Sequence, residues 1–477
     1  RFVGAGVGEA VVALAAGGAS ALEVNAVPGG PAPQHRGGGA SGGGASFPVD
    51  DTTGNLAAIL ADTNHQTISA NGLVLQGGAG GLNNFAVVFG GGNQSITLGA
   101  GGLQVRGGGG GALDAKNAAI VLKGSDVPGT SQTITGGGDI VLQGGNATAL
   151  NVGLDANLLN LSNGAFAAIR SEGVAQLIEF TAPGGIVSLT GGTSGSDNHA
   201  MIVAQTGTQT IRGTSVATAP GLALTGGASG GIGGTANEGN RALILSVAGN
   251  QSITASALSL AGGASGNENL ALIRQGTVAN GLASTQTVTL EGGGGISLQG
   301  GGGVTNLARI QSFGTTQTLS YSAGGSLSLT GGTGASLDFA RIEAVNGNQN
   351  ILGSPSIALT GGASGGADLN GNFASITANS ATATQTIVSS AMTLSAGAGG
   401  INNFAVLTAP VQNITVHGNL AITGGGSATS MDGTIGGGAR IGANAGASST
   451  LTLAVSNQRP ARAMGTFMQA VPCDMCA

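Results

Sequence analysis

Tryptophan is absent from this 477-residue chain, tyrosine occurs once, and the only two cysteines, Cys473 and Cys476, stand in the last five positions. Lysine occurs twice, at Lys116 and Lys123. Charged residues make up 7%, against about 25% in an average domain. The net charge is −6 and the 14 basic residues are scattered singly. A phosphate backbone is met by clustered Lys and Arg, so nucleic acid is excluded as a partner. No apolar run approaches the roughly 18 residues of a transmembrane helix, so no membrane span is expected. The small apolar stretch Val11 to Ala21 sits beside Glu9 and reads as mature sequence rather than a signal.

The usual signs of chemistry are missing too. Glu172 and Glu179, and Asp50 and Asp51, are the nearest approach to carboxylate pairs, and they read as solvated side chains rather than an acid and a base. His35, His65, His199 and His417 lie far apart, without metal-ligand spacing. The glycine runs 107–111 and 292–295 lack the following GK[S/T] of a phosphate loop. No catalytic residue, cofactor or metal is expected, and the chain reads as a non-enzyme.

What is present is repetition. Eleven copies of one three-part pattern read A-x-[I/V/L], then Q-x-[I/V/L], then an apolar-x-apolar run that ends in Gly-Gly or a close variant. The middle element marks them: Gln66, Gln94, Gln132, Gln176, Gln209, Gln251, Gln286, Gln317, Gln349, Gln385 and Gln412. Successive glutamines stand from 27 residues apart (Gln385 to Gln412) to 44 (Gln132 to Gln176). Self-similarity at such a period signals a repeat architecture. Residues two apart share one face of a strand. Each copy therefore supplies an inward small/branched pair (Ala57/Ile59, Ala86/Val88, Ala118/Ile120, Ala167/Ile169 and so on) and an inward pair of larger residues (Leu73/Leu75 through Leu420/Ile422). Three short strands per copy with glycine corners predict an all-β fold, a parallel β-helix of about eleven three-strand coils with a worn capping coil at the C-terminal end. At about 4.8 Å per coil the rod is roughly 50 Å long.

The organisation follows. Residues 1–54 form an apolar, then Gly/Pro-rich segment expected to dock on the solenoid or on a neighbouring subunit. Residues 55–425 form the β-solenoid, with long loops expected at Asn146 to Gly164 and Gly230 to Gly239. Residues 426–455 form the capping coil, carried by Ala439/Ile441 and Leu451/Leu453. Residues 456–477 form a tail that holds the C-x-x-C pair, whose oxidised state would be a disulfide, within or between chains.

Two columns carry information beyond the fold. By parity each Gln points inward or lines a corner. A lone buried amide is costly, but amides stacked at one coil spacing can hydrogen-bond along the axis, as in Asn/Gln ladders. The glutamines are read as a structural ladder, with a ligand-binding row as the other reading. The first strand is apolar on its outward parity as well: Phe85, Val87, Phe166, Met201, Leu243, Leu272, Phe339, Phe373, Phe404 and Val406. A strand apolar on both faces is covered on both, and a long uncovered stripe marks an interface. These ten residues are read as an assembly interface between subunits, with coverage by the chain's own Arg1–Ala26 segment as the alternative. Outward T-x-T pairs such as Thr208/Thr210 and Thr316/Thr318 also occur in ice-binding solenoids, a remote reading here.

The L-x-L-x-G-G strand ends, the N/F-A-x-I starts and the Ser/Thr/Asn/Gly-rich surface resemble secreted bacterial β-helices of the filamentous-haemagglutinin type, the exoproteins of two-partner secretion, and Gly-rich autotransporter passengers. The resemblance covers residues 55–425. It implies export to the bacterial cell surface or beyond, no enzyme activity, and a part in adhesion, aggregation or matrix building. Some members tether to the surface through a closely spaced C-terminal cysteine pair, which Cys473 and Cys476 resemble. The N-P-N motif of the secretion domain and an aromatic-ended C-terminal barrel segment are not found. The expected function is an extracellular structural protein that assembles with itself into fibres or a matrix layer. The alternative is an adhesin, a monomeric rod holding surface glycans or proteins of a host or neighbouring cell. A polysaccharide-processing enzyme is remote, because clustered acids are missing.

Overall fold

A computed structural model describes residues 10–13, 22–25, 56–61, 65–78, 84–109, 117–147, 164–230, 239–366, 371–426, 438–442 and 449–456. The chain is a parallel β-solenoid. Every strand pairing is parallel and joins a segment to its counterpart one coil away. The first wall is a sheet of twelve strands, from Leu56–Ala61 to Ala439–Ile441. The second and third walls form one 23-stranded sheet. They merge because Gln66–Gln76 and Gln94–Arg106 run through the corner as unbroken strands, with a register shift between Ala70 and Gly72.

Alternation explains the walls. In the second wall Ala175–Phe180 buries Gln176, Ile178 and Phe180 and leaves the residues between them partly exposed. In the third wall Ile186–Thr190 buries Val187 and Leu189. These inward residues and the Ala/Ile pairs of the first wall build one continuous core along the axis. A solenoid core grows by addition of coils, so one core serves the whole chain.

Corners need unusual backbone. Three residues before a first-wall strand the backbone is repeatedly left-handed: Gly164 (φ 90°), Asp197 (φ 59°), Glu268 (φ 56°), Thr305 (φ 60°), Leu337 (φ 58°) and Asn402 (φ 56°). A β-branched residue is strained there, so Thr305→Gly is expected to raise stability by about 1 kcal/mol in urea unfolding.

One register differs from the sequence reading. Ala118/Ile120 was expected to face inward in the third coil. Ala86 instead pairs with Ala119, and Val88 with Val121, which turns Ala118 and Ile120 outward. The run Ala118-Ala119-Ile120-Val121 fits either parity. Asn117 decides between them, because its Oδ1 accepts the Asn84 N–H at 3.0 Å and so aligns position 117 with 84.

The ends are built differently. Ala10–Ala13 pairs with Gln66–Ser69, and Leu22–Asn25 with Leu73–Gln76. These two strands of the N-terminal segment thus add a rung to the second and third walls, over the end of the core rather than along its side. At the other end Ala439–Ile441 and Thr450–Val455 extend the first and second walls by a twelfth coil. Twelve coils and the added rung span about 60 Å. Most of the expected loops, residues 148–163 and 231–238, and the tail with Cys473 and Cys476 lie outside the described residues.

Candidate functional site

The glutamine column is buried at the corner between the first and second walls. Register places each Gln directly on the next, as in Gln176↔Gln209 and Gln209↔Gln251. Each Nε2 donates to the Oε1 of the preceding coil, from Gln94 to Gln66 (2.8 Å) through Gln251 to Gln209 (2.8 Å) to Gln412 to Gln385 (2.7 Å). The second N–H of most reaches a carbonyl of the first wall, such as Gln66 to Phe89 O (2.9 Å) and Gln251 to Arg274 O (3.1 Å). One side chain thus joins coil to coil and wall to wall. Ten such links run unbroken from Gln66 to Gln412. The column ends where Leu451 takes the next register position, and the Gln412 Oε1 is left without a donor.

A second buried ladder escaped the sequence reading. Two residues before the first-wall alanine stand Asn84, Asn117, Asn198, Asn240, Asn269, Asn306, Asp338, Asn372 and Asn403, with Ala165 in the fourth coil. The Oδ1 of each accepts the backbone N–H of the preceding member, for example Asn269 N to Asn306 Oδ1 (2.8 Å) and Asn372 N to Asn403 Oδ1 (2.7 Å). The Nδ2 groups donate to corner-loop carbonyls, as Asn306 does to Gly302 O (2.6 Å). The signal was available: the same parity that places Gln inward places these Asn inward. Asn198 also closes the insertion of the fourth coil, because Ala147 N (3.1 Å) and Ala165 N (2.9 Å) both donate to its Oδ1.

The outward apolar stripe is not bare. In a single chain Phe85, Val87, Phe166, Met201, Leu243, Leu272, Phe339, Phe373 and Val406 retain only 1–6% exposure, and Phe404 is partly buried. Nor is the stripe continuous. Register runs Val87, Ile120, Ala168, Met201, Leu243, Leu272 and then Arg309, Arg341 and Ser375 before Val406. These residues are therefore not an uncovered stripe in the single chain. Side chains already screened from water within one chain leave no apolar area for a partner to bury. Phe339, Phe373 and Phe404 stack on one another at 4.7 and 4.5 Å between centroids. Phe166→Ser is expected to destabilise the chain by about 3–5 kcal/mol, read as a lower urea midpoint at every protein concentration. A loss of association at unchanged stability would restore the interface reading.

Of the ten large apolar residues exposed among the described residues, four stand together at the C-terminal end. Ile422, Leu451, Leu453 and Val455 are 39–48% exposed, although Leu451 and Leu453 continue the inward rows of Gln412 and Ile414. Thr450–Val455 is exposed along its whole length. No third-wall strand follows it among the described residues, so the edges of Leu420–Thr423 and Thr450–Val455 face away from the rod without a strand partner.

Buried charge is confined to corners and the first wall. His199 and Asp197 are both buried, with Nε2 3.6 Å from Oδ1. Burial, reinforced by the Arg241 charge, holds the His199 imidazole well below its ordinary pKa. Arg241 pairs with Glu268 at 2.8 Å. Comparison of the chain with models of known families, with curated proteins and with solved structures returns no match.

Proposed function

We propose that this chain is an extracellular structural protein of the bacterial surface whose rods join end to end into fibres or a layer. The observation that supports this most is at the C-terminal end, where among the described residues the last strand edges have no partner and lie above exposed apolar residues. Such an edge templates further pairing, and a head-to-tail contact repeats without closing and so grows a filament. The edge segments TLTLAV and LAIT carry none of the charges that blunt strand edges. Resemblance to the filamentous-haemagglutinin type supports the surface location. The covered stripe supports a second reading, an adhesin that works as a single rod, since such a rod is complete without a lateral partner.

Negative-stain microscopy tests the choice. Fibres are expected from the unaltered chain, and only short rods from Leu451→Arg/Leu453→Arg. Exposed positions contribute little to folding, so the variant rods should retain the parent's thermal midpoint within a few degrees. Short rods from the unaltered chain at every concentration would favour the adhesin. Fibres that persist in the variant would place the contact elsewhere.

A further inference from the structure

Where the apolar stripe stops, cations take over. Arg309 and Arg341 face each other on adjacent strands, and Arg274 stands one coil earlier in the neighbouring row, in register with Gln311. Among these outward side chains Glu343 is the one carboxylate, so three positive charges against one negative leave +2 on three adjacent strands. Like charges directly opposite in a sheet repel. The excess is unusual in a chain with 7% charged residues and a net charge of −6.

The hydrogen bonds show which partner is saturated. Glu343 Oε2 accepts from Gln311 Nε2 (2.9 Å) and from Arg309 Nη2. Its Oε1 accepts from Asn379 Nδ2 (2.6 Å), with Arg341 Nη1 at 3.8 Å. The carboxylate is therefore fully engaged, but the guanidiniums are not. Arg341 donates through Nε to Ser375 Oγ (3.1 Å), and Arg274 through Nε to Gly276 O (2.9 Å). Arg309 Nε is buried without a partner. The Arg309 and Arg341 side chains keep 23% and 24% exposure, so part of each is open to solvent, whereas Arg274 is 8% exposed and adds charge from beneath. Rings fix two of the three: Arg341 lies over Phe339 and Phe373, each at 4.7 Å, and Arg274 over Phe313 at 4.6 Å. Burial lowers the Arg341 and Arg274 guanidiniums to about 10, and both remain cationic at neutral pH.

We infer that Arg274, Arg309 and Arg341 form a binding site for a carboxylate on a sparsely charged, hydroxyl-rich glycan. A pre-oriented guanidinium fork suits a carboxylate, and Glu343 already occupies one side of the pair in that way. The next outward positions are uncharged: Ser375 and then Val406 follow Arg341, Thr377 and then Thr408 follow Glu343, and Leu272 precedes Arg309. A densely charged polymer would find no further cations beside this patch, whereas neutral sugar units carrying one acid would meet amides and hydroxyls. The site lies on the side of the rod and does not depend on whether rods join at their ends.

Calorimetric titration of the full chain with 3′-sialyllactose and trigalacturonate, and with lactose as the neutral control, tests the inference. At least one acidic sugar should bind, and lactose should not. Arg309→Gln or Arg341→Gln should weaken binding about tenfold or more, as loss of a charge-assisted contact does. Glu343→Gln should tighten binding by raising the positive excess. A misfolded variant cannot produce that opposite sign, which separates a lost site from a lost fold. Silence with both acidic sugars, equal binding of lactose, tighter binding of poly-glutamate, or indifference to all three substitutions would overturn the assignment.

Discussion

Gln251→Met is expected to lower the stability of the solenoid by about 4 kcal/mol, whereas Gln412→Met should cost about 1 kcal/mol. Methionine fills much the same unbranched volume, so the difference isolates hydrogen bonding from packing. Gln251 is the middle of a chain of amides. It donates to Gln209 Oε1 (2.8 Å) and Arg274 O (3.1 Å) and accepts from Gln286 Nε2 (2.7 Å). Its loss strands a buried acceptor below and a buried donor above, each costing about 1–3 kcal/mol. Gln412 ends the column with its Oε1 already unpaired, so only its bond to Gln385 is lost. In a one-dimensional array a weakened internal interface also uncouples the two sides. Urea unfolding of Gln251→Met should therefore broaden or split, with the C-terminal coils melting apart from the N-terminal ones. Equal costs at the two positions would show that the glutamines act singly and not as a ladder.

Asp338→Asn should stabilise the protein at pH 7 by about 3 kcal/mol, and the gain should vanish near pH 4. Asp338 occupies a position that its neighbours fill with asparagine, and its side chain is fully buried. Its Oδ1 accepts the Asn306 N–H at 2.7 Å, while its buried Oδ2 has no partner in good hydrogen-bond geometry, the Gly303 and Gly334 N–H groups being the nearest donors to the carboxylate. Burial raises the carboxyl from 3.8 to about 6, although backbone N–H groups pull it the other way. The sign follows from linkage. A carboxyl whose folded pKa lies above its unfolded value binds its proton more tightly in the folded state. The folded state is thus relatively favoured below about pH 4 and loses that advantage as pH rises to about 6. A shift of about two pKa units corresponds to about 3 kcal/mol. Asparagine carries no charge at any pH, and its Nδ2 can donate to corner carbonyls as Asn372 Nδ2 does to Gly334 O (2.7 Å). Thermal midpoints of both proteins between pH 4 and 8 would check this. A gain that is flat across that range would mean that the Asp338 pKa does not change on folding, and one still rising at pH 8 that the carboxyl stays protonated in the folded chain.

Most of the architecture was legible because it rests on local alternation. Gln176 and Ile178, or Val187 and Leu189, announce their common face by spacing alone, and glycine marks where each wall must turn. Parity alone also located the glutamine column. It failed at Ala118–Val121, where both faces are apolar and only the cross-coil bond from Asn84 to Asn117 chooses. The asparagine ladder was overlooked for a related reason. Its residues precede the strands, and Asn before a strand reads equally well as a turn. The stripe shows another limit: apolar character says that a residue will be covered, but not by what. Arg309 and Arg341 were visible in the sequence, yet their pairing across the strand gap required register.

The amino-acid order by itself determined the parallel coils, the three walls and the inward columns. Each follows from a period of two within a strand and a repeat between strands, and both are properties of neighbours along the chain. Tertiary structure alone decided which ladder closes each corner, that the Phe-bearing face is largely dry in one molecule, that Leu451 and Leu453 are exposed although they continue inward rows, and that three arginines meet one glutamate. Those outcomes depend on contacts between residues about thirty positions apart, where the energy of a group is set by what the fold brings beside it.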